Sequence, residues 1–153
     1  MIQGVCRTPG NTRAVNAYRS ELMGMYLMLL ILDIIHEQLT IKRGEVLLGC
    51  DNLGGLTRSF AYKDAAPISS KHFDILWEIH RIRERIPIEI NYKHVEGHQS
   101  IEGRRKDRMA EMNHQMDLLA KEFLSYCMRY PDTQNHLDIS NSRWSVWMNS
   151  EKV

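Results

Sequence analysis

Three cysteines in 153 residues, at positions 6, 50 and 127, are too few and too far apart for a disulfide framework, and no CxxC spacing offers a thiolate zinc site. A reducing, intracellular compartment is the expectation. An excess of either charge is missing too: 20 Lys+Arg stand against 19 Asp+Glu, so no overall field draws the chain to nucleic acid or to a membrane surface, and any such binding must be local. No hydrophobic run is long enough to cross a bilayer. The best candidate, Leu22 to Ile35, covers 14 residues, carries Asp33 and runs into His36 and Glu37, whereas a span takes roughly 20 residues. No cationic leader with an apolar core and a small-residue cleavage site follows Met1, so a secretory signal is not expected. Finally, residues 1 to 20 contain no Asp or Glu.

What is present suits one core, with a hydrophobic share of 43% in a chain of single-domain length. The domain is expected over residues 1–130 and a polar tail over 131–153, the tail ending in an aromatic pair, Trp144 and Trp147. IQGVC (2 to 6) suits a short strand, and TPGN (8 to 11) is turn chemistry. Asn16 can cap a helix over 17 to 38, apolar on several faces as befits a helix packed on a sheet. EVLLGC (45 to 50) is an almost continuous apolar run, the pattern of a strand covered on both faces, and DNLGGLTRSF then suits a short helix. Residues 70 to 86 form an amphipathic helix with Phe73, Leu76, Trp77 and Ile79 or His80 inward, stopped by Pro87. IEINYKHV (88 to 95) alternates like a strand, and 107 to 129 is the last long helix, with Met109, Met112, Met116, Leu119 and Phe123 inward. The order predicts an α/β fold.

Acidic residues approach this core from three elements. Glu21 lines up with Met25, Met28 and Leu32 at helical spacing, Asp51 sits at the carboxyl end of the buried strand, and Asp117 lies one turn from Asn113 on the last helix. Burying ionised carboxylates together costs several kcal/mol each unless a cation or a donor compensates, and a pair of magnesium ions is one resolution. Plainer roles stand beside this one. Glu21 suits the positive end of a helix dipole, Asp51 suits a helix cap, and Asp117 suits a solvated helix face. His94 and His98 have the spacing of some zinc pairs, but Gly97 removes the helix such spacing needs. The methionines of the first helix suit packing.

YRSELMG, LLGCDN, HVEGHQ and NHQMDLLAK, in this order between residues 18 and 121, resemble the ribonuclease H type 1 family, in particular the domain carried by retrotransposon polyproteins. The resemblance implies an RNase H-like mixed sheet flanked by helices. It implies an endonuclease that hydrolyses the RNA strand of an RNA·DNA hybrid with two Mg2+ ions, Mn2+ substituting, held by Glu21, Asp51 and Asp117. His98 falls on the family's mobile histidine, which assists proton transfer and product release, and Asn113 falls on an asparagine that meets the hybrid's minor groove. Asn52 is expected to touch substrate as well. Arg104 and Arg105, in the basic loop with Lys106 and Arg108, suit either phosphate contacts or a solvated loop. A reverse transcriptase domain is an implied neighbour in the intact polyprotein.

One part of the family pattern has no counterpart here. The family's first metal-bridging Asp stands on its first strand, ahead of the Glu-bearing helix, yet residues 1 to 20 carry no acid. IQGVC then counts as the third strand, the first two are expected to be missing, and EVLLGC is left with an open apolar edge. Impaired catalysis is the expectation, in a chain truncated at its amino terminus. The rival expectations are a hybrid-binding module without activity, a structural remnant, and a zinc protein built on Cys50, His94 and His98.

Overall fold

A computed structural model describes Val5, Thr8 and residues 16–61, 67–96, 108–130, 147–148 and 151–152. The IQGVC strand, the TPGN turn, His98, Arg104, Arg105 and Trp144 therefore lie outside the described residues, apart from Val5 and Thr8.

Helix α1 (Ala17–Gln38) starts where expected, because the Asn16 side chain accepts a hydrogen bond from the Arg19 backbone N–H at 2.9 Å. Leu22, Met23, Met25, Tyr26 and Leu29 are buried, so the methionines pack. Strand β1 (Glu45–Cys50) leads into a four-residue helix α2 (Leu53–Leu56) and a π-helical turn (Thr57–Ala61). Helix α3 (Phe73–Arg85) follows, then strand β2 (Glu89–His94), which pairs with β1 in parallel from Glu45↔Glu89 to Cys50↔His94. Helix α4 (Arg108–Arg129) comes last among the long elements, before a small antiparallel pairing of β3 (Trp147–Met148) with β4 (Glu151–Lys152). The fold class is α/β, with four helices and a two-stranded parallel sheet among the described residues.

α3 packs on α1 through Ile75, Leu76, Ile79 and Ile82, and Leu48 of β1 closes the same core. The inward face of α3 agrees with the expected one at Leu76 and Ile79 and differs at Trp77. Isoleucines spaced four and three apart define it, and Trp77, two residues from Ile75 and Ile79, is turned away and 43% exposed. The helix also starts at Phe73 instead of residue 70, after His72 takes a left-handed backbone with φ 63°.

The two faces of β1 fare differently. Val46, Leu48 and Cys50 belong to the core side, whereas Gly49 faces α4, where a Cβ would stand 2.5 Å from the Met109 methyl. Leu47, on that second face, is exposed, so the strand is not covered on both sides as its apolar run suggests. For the same reason no residue of α4 is buried, and Met112 and Met116, expected inward, are exposed. Among the described residues the sheet sets only two strands against this 22-residue helix.

Charged groups tie the helices together. Arg19, buried, donates two hydrogen bonds to the Asp74 carboxylate, at 3.0 and 2.5 Å. Arg85 forks onto buried Asp33, and Arg81 onto buried Glu78. Arg83 donates to the Ser59 and Phe60 carbonyls and lies over the Phe60 ring. No described helix is long and apolar enough to cross a membrane.

Candidate carboxylate site at the end of strand β1

The parallel pairing brings the carboxyl ends of β1 and β2 together, and the chain turns there at Asp51 and Asn52. Asn52, not Asp51, caps α2: its Oδ1 accepts the Gly55 N–H at 2.7 Å. Asparagine and aspartate serve equally as caps, so sequence alone did not choose between neighbours. Asn52 Nδ2 meanwhile donates to Glu21 Oε2, one turn into α1. Both polar ends of the Asn52 side chain thus face protein partners. Gly55 permits the close approach, since a Cβ there would stand 2.4 Å from the buried Met25 methyl.

The Asp51 charge is felt at Glu21. Burial raises the Glu21 carboxyl above its ordinary 4.5, and the Asp51 charge adds to the rise. The Cys50 thiol is pushed up as well, first by burial and then by the Asp51 and Glu21 charges, against hydrogen bonds from backbone N–H groups. From the other side α4 supplies Asn113, whose Nδ2 donates to Asp51 Oδ2 at 3.3 Å. Asp117, one turn further along α4, is bonded by Lys121 at 2.6 Å. Among the described residues no group of three or more His, Cys, Asp and Glu side chains gathers as a metal centre would. Glu21, half-buried, and Asp51, exposed, are oxygen donors of the kind a hard cation takes, and a cation there would offset the like charges that each places on the other.

Two features were missed by the sequence reading. His94, weighed only as a zinc ligand, stands opposite Cys50 in the sheet and donates from Nε2 to the Asp51 carbonyl at 3.0 Å. A carbonyl only accepts, so Nε2 carries the proton. The strand register was the signal, since it brings His94 beside the last residue of β1. The second feature lies around the first turn of α1, where Arg19 meets Asp74 and also His72 Nδ1 at 3.3 Å. The His72 and Tyr18 rings touch, with centroids 5.7 Å apart. Burial first, then the charges of Arg19 and Lys71, hold His72 below its ordinary pKa.

Comparison with family models, with curated proteins and with solved structures finds no match.

Proposed function

We propose that the chain is an RNase H-like nuclease module of a retroelement polyprotein, acting on the RNA strand of an RNA·DNA hybrid with Mg2+ or Mn2+. The observation that carries this reading is the pair of side-chain bonds at the end of β1, where Asn113 of α4 holds Asp51 and the adjacent Asn52 holds Glu21 of α1, elements far apart in sequence. Acids at the carboxyl end of a parallel strand are placed as α/β sites are.

In this reading Glu21 and Asp51 would hold the cation, and Asp117, on the same helix as Asn113 and bonded by Lys121, would be the further carboxylate. Magnesium bound there would supply Lewis acidity toward a water and the phosphodiester. The chain's own groups orient the carboxylates: Asn52 on Glu21, and Asn113 and His94 on Asp51, at side chain and backbone respectively. The 2′-hydroxyls of the hybrid distinguish the strand to be cut. His98, Arg104 and Arg105 belong to the proposal through the resemblance alone.

The reading is tested by cleavage of an end-labelled RNA·DNA hybrid in Mg2+ and in Mn2+, with the chain and its Asp51→Asn variant both checked for folded circular dichroism. Slow cleavage is expected, reduced in the variant by about a hundredfold, as removal of a group acting on transition-state charge entails. A second reading, a module that binds hybrid without cutting it, is favoured by the bond of Lys121 to Asp117, which engages the third acid. It predicts a retarded hybrid in a mobility assay and no product.

A further inference from the structure

The geometry points to Asn52 as a positioning residue for Glu21, holding one carboxylate oxygen so that the other is left to meet a cation beside Asp51. The orientation of the amide is not arbitrary. The Gly55 N–H, 2.7 Å away, can only donate, so the atom facing it is Oδ1 and the NH2 group necessarily faces Glu21. One side chain therefore does two jobs, ending the strand-to-helix turn and fixing a carboxylate that comes from another element 31 residues earlier.

The two jobs separate by substitution. Asp and Ser cap helices as well as Asn does, so Asn52→Asp and Asn52→Ser keep the bond to Gly55. Neither keeps the donor to Glu21: serine falls short of it, and aspartate sets a third negative charge against Glu21 and Asp51. Capping alone predicts that both variants melt with the wild type. Positioning predicts a lower midpoint for Asn52→Asp, since like charges brought together without a cation destabilise the fold.

The experiment is thermal unfolding of the full chain and of both variants at pH 7 in EDTA, followed by calorimetric titration with Mn2+ alone. Positioning is supported if Asn52→Asp melts about 3 °C or more below wild type in EDTA, a shift well outside the effect of an ordinary surface change in a chain of this length. Exchanging the partners, Glu21→Gln with Asn52→Asp, restores a donor opposite an acceptor and should return the midpoint to that of Glu21→Gln. A midpoint for Asn52→Asp equal to or above wild type overturns the inference, as does failure of the exchange to rescue.

The Mn2+ half rests on the function proposed above and separates from the first. Asn52→Ser is expected to bind Mn2+ about threefold or more weakly, because a freed Glu21 must be fixed again on binding. Unchanged affinity overturns the positioning role toward the cation. If wild type takes up no Mn2+ at all, the proposed cation centre fails, and the EDTA comparison still decides what Asn52 does.

Discussion

Arg19 is buried inside the first turn of an apolar helix, and Asp74 is what makes that tolerable. Burial alone would raise the Asp74 carboxyl, but the hydrogen bonds and charge of Arg19 outweigh it and hold the group below its ordinary 3.8. A depressed carboxylate contributes stability that is fully present above its unfolded value and is lost as pH falls through the folded one. Asp74→Ala should therefore lower the melting point at pH 7, by the equivalent of about 1 to 2 kcal/mol. The loss sits at the low end for a buried pair because 45% of the Asp74 side chain meets water. A melting series should show the difference from wild type shrinking below about pH 4. Glu21 carries the opposite sign. Its folded pKa is raised, so its contribution is best at low pH and declines as pH climbs from 4.5 through the folded value. In EDTA, Glu21→Gln should raise the melting point at pH 7 and flatten that decline. Both tendencies are hard to see in a sequence. The apolar spacing showed that Glu21 leans inward, yet nothing nearby in the chain announces Asp74, 55 positions from Arg19.

At the scale of elements, the pattern of hydrophobic residues located α1, β1, β2 and α4 to within a residue or so of their bounds, because each carries its own periodicity or cap. Which face each element buries was less legible. Burial depends on what lies alongside, and Leu47, Met112 and Met116 are exposed despite their apolar character. Trp77 shows the same limit, since isoleucines at the right spacing outcompete it for the core. α4 is accordingly the least secured of the long helices. It keeps Met109 against Gly49 and Asn113 on Asp51, but buries no residue. Amide hydrogen exchange should find its backbone opening well before that of α1 or α3, with protection lower by about tenfold or more. Equal protection across the three helices would contradict this.

For the whole molecule, the α/β class was readable from the alternation of patterns, and the candidate acids from their spacing, but their partners came from the tertiary fold. The asparagines illustrate this: nothing nearby in the chain announces that Asn52 bonds Glu21 or that Asn113 bonds Asp51. Glu45 and Leu47, exposed on a strand that pairs along one edge among the described residues, give the molecule a place to associate. Light scattering across a concentration series should show self-association, diminished by Leu47→Lys, which sets a charge on that strand. No change on substitution would move the contact elsewhere.

The constant offset between the paired strands, Glu45 with Glu89 through Cys50 with His94, also bears on how the molecule comes to exist. Parallel strands cannot zip from a tight turn. α2, the π-helical turn and all of α3 intervene, so the contacts that join the strands are remote in sequence and slow to find. Asp51 acquires its His94 neighbour only when that search ends, and Asn113 arrives on a helix later still in the chain. During synthesis the ribosome releases Glu21, Asp51 and Asn52 long before Asn113, so the carboxylate pair and its amide clamp have time to form while the wall opposite is still being made.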